Sequence, residues 1–235
     1  MKIRSLTLFT IVALIVASAM PLLASAKEEP LTMVVMELHE NGQVVITATT
    51  GDDNTDSYYL LTGYKYTGYS QPYSLKTAPF LINTKNKQGL SANNIVTTIT
   101  TSAGTWDTET AKAVFSYTGS TTKTAGKRDR YNVIDFGSYR SGVIAVTMFW
   151  ISGTNMVEID MRFNTLYKWS FSGEAGKMDV QNIATHEFGH WAGLDDVYDA
   201  SHSWLTMYGY SDFGITYQRT LCAGDVLGLE AVYGN

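Results

Sequence analysis

The order of hydrophobic periodicities predicts an α+β domain: a helix, a block of strands, a second helix bearing chemistry, an irregular segment and a last helix. Two observations carry this. Residues 113–163 contain four runs rich in Val, Ile, Phe and Thr, namely Ala113–Tyr117, Asn132–Phe136, Gly142–Trp150 and Met156–Phe163. Gly, Ser and Asn punctuate them, as strands require. On either side, apolar residues recur at the helical spacing instead, and no internal repeat is visible.

The elements follow in order. Lys2 and Arg4, the apolar stretch Leu6–Leu23 and the small residues Ala24-Ser25-Ala26 read as a secretory signal peptide, residues 1–26, cut after Ala26. The alternative is a membrane anchor formed by residues 6–23. Residues 27–74 are an N-terminal extension or short pro-segment. In it Leu31–Leu38 and Gln43–Thr49 flank the hairpin dipeptide Asn41-Gly42, ahead of a polar loop at 51–56. The main domain spans 75–235. Phe80–Asn83 reads as a strand, and Ser91 caps a helix with Ile95, Val96, Ile99, Ala103 and Trp106 on one face. After the four strands, Asp179 caps a helix of about four turns through His190, and a final helix covers Ala223–Val232.

Composition narrows the function. Of 235 residues, 45% are hydrophobic and 17% charged, enough for one globular domain. Loss of residues 1–26 removes two cations and no acid, so the net charge of −5 becomes −7. No basic stripe offers itself to nucleic acid. Cys222 is the single cysteine, so an exported chain has no internal disulfide and no cysteine in 27–74 to cap a metal. It reads as a small buried hydrophobe.

The chemistry lies in His186-Glu187-Phe188-Gly189-His190, the pattern H-E-x-x-H. Two histidines four apart stand on the same helix face, so both imidazoles reach one metal ion. Glu187 lies between them, close enough to act as a base on a water. Gly193 can take a left-handed conformation, end the helix and turn the chain back toward the ion. A catalytic zinc takes three protein ligands. No glutamate occurs between Glu187 and Glu230, so the third candidates are Asp195, Asp196, Asp199 and His202. A reversal at Gly193 points first to Asp196.

The pattern H-E-x-x-H-x-x-G-x-x-[H/D] with Leu205-Thr206-Met207-Tyr208-Gly209 downstream resembles the metzincin zinc metalloproteases. The Met-Tyr turn and the run Leu221–Gly234, with Asp225 and Leu229, are similar to the matrixins. Asp196-Val197-Tyr198 is similar to the Asp-x-Tyr of snapalysin-like secreted proteases, where aspartate replaces the third histidine. The resemblance covers about residues 75–235 and is specific in 186–234. It implies a mixed twisted sheet with an active-site helix, a Met-turn and a C-terminal helix. It further implies one catalytic Zn2+ on His186, His190 and Asp196, with Met207 as an apolar floor. The implied activity is a secreted zinc endopeptidase, hydrolysing peptide bonds by zinc-activated water with Glu187 as general base. Tyr208 and Tyr210 are candidates to hydrogen-bond the reacting carbonyl, although Gly209 takes the position where such a tyrosine is expected. The substrate, a peptide or protein, would lie extended along an edge strand, with Gly142–Trp150 the candidate. A monomer without stable membrane association is expected once the signal peptide is cut. The alternative is an exported zinc-binding or adhesion domain without turnover. Structural Ca2+ on Asp52, Asp53, Asp56 or Asp212 stays open, because no loop has a full calcium spacing.

Overall fold

The computed structural model describes residues 31–40, 59–60, 65–66, 77–111, 113–152 and 155–234. The signal peptide at 1–26, the Asn41-Gly42 turn, the strand expected at 43–49 and the acidic loop holding Asp52, Asp53 and Asp56 lie outside the described residues.

In chain order the elements are β1 (Leu31–Glu40), β2 (Tyr59–Leu60), β3 (Lys65–Tyr66), β4 (Ala78–Ile82), α1 (Ala92–Asp107), β5 (Phe115–Ser120) and β6 (Val133–Gly137). Then come β7 (Val143–Ser152), β8 (Asn155–Asn164), β9 (Trp169–Ser170), β10 (Met178–Asp179), α2 (Val180–Trp191), β11 (Leu194–Asp195), β12 (Tyr210–Ser211) and α3 (Ala223–Tyr233). Short 3-10 turns occupy Ala200–His202 and Tyr217–Arg219. This is an α+β arrangement with a mixed sheet. The order is β12-β1-β7-β8-β6-β4-β5, and β3 also pairs with β8. Contacts among β5, β4, β6 and β8 are parallel, whereas β7 runs antiparallel to both β8 and β1.

The helices begin where capping chemistry allows. Ser91 accepts from the Asn94 amide, and Asp179 from the Asn182 amide at 2.9 Å. The threonine-rich face of α1 satisfies its hydroxyls on its own backbone, as in Thr100 to Val96 O and Thr101 to Thr97 O, both 2.8 Å. Its other face buries Ile95, Ile99, Ala103 and Trp106 against α2, and the Trp106 indole donates to Thr185 O at 2.8 Å. Phe80, Phe115, Phe188 and Trp191 fill the space between helices and sheet with tilted and edge-on ring contacts.

The front face of the sheet carries the helices; the back face is covered by the loop 121–132. That is why β7 is buried from Val143 through Ile151 and shows no polar alternation. Ala145, Phe149 and Ile151 join the main core, while Val146, Met148 and Trp150 pack with Ala125 behind the sheet.

One expectation is corrected here. Gly142–Trp150 reads in sequence as an open edge for a peptide, but β7 has no open edge. Residues 31–40 pair with it from Leu31↔Ser152 to His39↔Val143, and the far side of β1 meets β12. The physical reason is that the apolar run at 31–38 finds a long sheet edge whose main-chain groups need partners.

Candidate metal centre

Helix α2 presents His186, Glu187 and His190 toward the chain reversal that follows it. The helix ends at Ala192, and Gly193 has φ +97°, a conformation that an L side chain resists. The turn brings Asp196 back over the two imidazoles. Asp196 Oδ1 lies 3.3 Å from His186 Nε2 and 3.6 Å from His190 Nε2. Three donors bound tetrahedrally at zinc distances sit about 3.3–3.5 Å apart. Among the described residues this is the group of His, Cys, Asp or Glu side chains able to hold a metal ion.

The state of the donor atoms tests the fit. His186 Nε2, His190 Nε2 and Asp196 Oδ1 are all buried and have no hydrogen-bond partner. Buried polar atoms are ordinarily satisfied, so three converging orphans call for an unwritten partner. The opposite ring nitrogens settle the tautomer: His186 Nδ1 donates to Thr206 O at 2.7 Å and His190 Nδ1 to Leu194 O at 2.9 Å. A carbonyl only accepts, so both Nδ1 atoms carry the proton and both Nε2 atoms keep a lone pair. Two lone pairs and a carboxylate oxygen form a set that could hold a divalent metal ion.

The third position is resolved by the hydrogen bonds. Asp195 turns its carboxylate back onto the Asp196 amide, Oδ1 accepting at 2.8 Å. Asp199 caps the 3-10 turn at Ser201, and His202 sits beside Ser201 and Asp199. The structure thus brings Asp196 together with the histidines and leaves Asp195, Asp199 and His202 apart. Asp196 Oδ2 accepts from the Tyr198 hydroxyl at 3.0 Å, which fixes the carboxylate with Oδ1 toward the imidazoles. Burial pushes the Asp196 carboxyl up and the Tyr198 hydroxyl donated to Oδ2 pulls it down; the His190 and His186 rings would hold it below the usual value only when protonated, not in the neutral form that presents Nε2 lone pairs.

Glu187 is fully buried beside this group. Its Oε2 accepts from the Thr147 hydroxyl of β7 at 2.6 Å, and its Oε1 has no partner. Burial dominates its acidity and pushes it up to about 7, with the nearby Asp196 adding and the Thr147 hydroxyl opposing. Such a carboxyl can take and return a proton near neutral pH.

Beneath the group, Met207 Sδ and Trp106 press on α2 at Gly189. A Cβ there would fall 2.8 Å from Trp106 Cζ2 and closer still to Met207 Sδ, so only glycine admits this approach. Met207 is buried and its amide donates to Asp225 Oδ1 at 3.1 Å; Thr206 and Cys222 amides donate to Asp225 Oδ2. Asp225 therefore ties the 205–208 turn to the start of α3. Cys222 is half-buried and is the N-cap residue of α3. Tyr208 is buried, while Tyr210 lies in β12 opposite His39. Asp212 accepts from the Phe213 amide and stands in no cation cluster among the described residues.

Sequence reasoning misses Thr147, Tyr198 as an Asp196 partner, and Asp225 as a clamp. Thr147 is 40 residues from Glu187 and carries no local motif. No protein-family model matches this chain, and no curated protein matches it in sequence.

Proposed function

We propose that this chain is a zinc-dependent endopeptidase of the metzincin type, exported by the signal peptide read at residues 1–26. One observation carries the reading. Three buried donor atoms without partners lie within 4.8 Å of one another, and a fourth orphan, Glu187 Oε1, lies beside them on the same helix. His186, His190 and Asp196 would hold the metal. Three protein ligands leave a position for chemistry, where a structural zinc would be closed by four.

When bound, zinc supplies a Lewis acid that polarises the scissile carbonyl and acidifies a water molecule. The rest falls to the chain. Glu187 Oε1 takes a proton from the attacking water while Thr147 holds Oε2 in place. As the C–N bond breaks, Glu187 returns that proton to the departing amine. The Nδ1–H donations to Thr206 O and Leu194 O keep both Nε2 lone pairs aimed at the ion. An exported chain needs no membrane helix for this work, and no helix among the described residues is long and apolar enough to cross a membrane.

The second reading, a zinc-binding domain without turnover, draws on the same group's burial, since His186, Glu187 and His190 have no exposed surface. Glu187 opposes it, because a purely structural site has no use for an unpartnered base.

Zinc analysis and hydrolysis of casein or a quenched peptide mixture test the proposal. The zinc-loaded protein binds one equivalent and cleaves. Glu187→Ala keeps the zinc and loses roughly 10²–10⁴-fold in rate, the usual contribution of a positioned general base. Zinc retention with no hydrolysis by the processed wild-type protein would leave the second reading standing.

A further inference from the structure

We propose that Asn182 and Gln218 are a positioning pair for the metal centre: together they hold the 205–208 turn so that Thr206 O stays on His186 Nδ1, and His186 Nε2 stays aimed at the ion. This rests on the reading of His186 as a zinc ligand in a peptidase and adds what keeps that ligand oriented from behind.

The pair belongs to a closed circuit of hydrogen bonds. Asn182 lies on α2 four residues before His186, so the two share a helix face. Its Nδ2 donates to Gln218 Oε1 at 2.8 Å, and the Gln218 amide donates back to Asn182 Oδ1 at 2.9 Å. Gln218 Nε2 then donates to Leu205 O at 3.2 Å. The same carbonyl accepts from the Tyr208 amide at 3.1 Å and so closes the turn whose second residue is Thr206. Thr206 O accepts from His186 Nδ1, which returns the circuit to α2. Asn182, Gln218 and Leu205 have no exposed surface, so bulk water does not compete for these bonds.

Main-chain groups fix the direction of each side-chain amide. The Gln218 N–H only donates, which turns Asn182 Oδ1 toward it and leaves Nδ2 for Gln218 Oε1. The Leu205 carbonyl only accepts, which demands Gln218 Nε2. Ser211 Oγ joins from β12, 3.2 Å from Asn182 Nδ2 and 3.1 Å from Gln218 Oε1, and lies off the path to the turn. Asp225 already holds the Thr206 and Met207 amides; Gln218 holds the carbonyl that closes the same turn. A turn gripped on both its donors and its acceptor leaves one place for Thr206 O, and that place sets the His186 ring. His190 is oriented separately. Its Nδ1 donates to Leu194 O in the reversal after α2, a contact that does not pass through Gln218.

Asn182→Asp keeps the volume and reverses the polarity at one atom. The new carboxylate draws Gln218 Nε2 to itself by rotation of that amide, and Gln218 Oε1 then faces Leu205 O with no proton between them. Gln218→Met removes the reach to Leu205 O outright.

The test compares the full chain, zinc-loaded and metal-free, with its Asn182→Asp, Gln218→Met and Ser211→Ala variants. Zinc affinity is read by chelator competition, and the ring N–H protons by NMR of protein labelled with 15N-histidine. Asn182→Asp and Gln218→Met should weaken zinc binding about ten-fold, the low end for a support behind a ligand. In both, solvent exchange of the His186 Nδ1 proton should speed by about ten-fold or more, while that of His190 holds. Ser211→Ala should leave zinc affinity and both ring protons nearly unchanged. Equal acceleration at His186 and His190, or as much zinc lost in Ser211→Ala, makes the network ordinary packing and overturns the pair. Unchanged zinc affinity in Asn182→Asp overturns it as well. If Gln218→Met does not fold, the volume-conserving Asn182→Asp decides. The metal-free spectra read the circuit without any turnover. A wild-type chain that binds zinc and hydrolyses nothing, with the selective His186 response intact, supports the pair and counts against the peptidase reading alone.

Discussion

The two faces of one sheet both bury acidic side chains, and they treat them in opposite ways. On the back face, Asp135, Glu158 and Asp160 are as deeply buried as the metal group in front. Every one of them is in use. Asp160 accepts from the Gly126 and Val133 amides, Glu158 from the Asp129 and Arg130 amides, and Asp135 from Ala125 N and the Arg162 guanidinium. These carboxylates fold the loop 121–132 over the sheet. On the front face the lone pairs of His186, His190 and Asp196 meet one another and no donor. Acidity does not separate the two: burial pushes Asp160 up to about 8 and Glu187 up to about 7. What separates them is whether the buried acceptors already have partners.

The sharpest way to break this comparison is to exchange the consequences. Asp196→Ala should lower zinc affinity by more than about 100-fold, beyond the loss of an outer-shell partner, with little change in the melting of the metal-free protein. Asp160→Ala should do the reverse. It keeps the zinc stoichiometry but orphans the buried Val133 amide, at about 1–3 kcal/mol, and frees the Gly126 amide, visible as a lower urea midpoint. Zinc loss in the second variant would sink the distinction.

The pH dependence of stability comes next. The folded Asp160 carboxyl titrates near 8, above its unfolded value of about 3.9, so the fold favours the protonated form. That contribution is complete below about pH 4 and is lost as the pH climbs toward 8, at no more than about 1.4 kcal/mol per unit. Urea midpoints of chelated wild-type and Asp160→Asn protein, compared between pH 5 and 8, should fall with pH more steeply for the wild type. Parallel curves would remove Asp160 as the cause.

A smaller effect is expected on the front face at Thr147. Thr147→Val should lower kcat about ten-fold, the worth of one hydrogen bond to a charged group, with KM and zinc content unchanged. Thr147→Ser should restore it, and a fall in zinc content instead would make Thr147 a packing residue. The smallest effect belongs to Asp195→Ala, which should keep its zinc because that carboxylate faces its own backbone. If Asp195→Ala alone lost the metal, the assignment of Asp196 would be wrong.

Local spacing made much of the centre legible. H-E-x-x-H on a helix capped by Asp179, with a reversal at Gly193, is short-range information, because helix geometry alone puts His186 and His190 on one face. The four strand runs and three helices were equally readable from periodicity, with ends shifted by up to three residues, as in β5, which runs from Phe115 to Ser120 rather than from Ala113 to Tyr117. The reversal at Gly193 pointed first to Asp196, and the hydrogen bond that turns Asp195 back onto its own backbone supported that choice.

What composition and spacing could not supply is pairing across distance. Thr147 reaches Glu187, Asp225 clamps the 205–208 turn, and Leu31–Glu40 pairs along β7. A strand's side-chain period states which faces it has, but every apolar strand offers the same main-chain groups. Which strand meets which is set by the packing of the whole chain. The residues at 186–196 thus declare a metal-binding chemistry on their own, while the Thr147 and Asp225 contacts that support them are placed by tertiary packing alone.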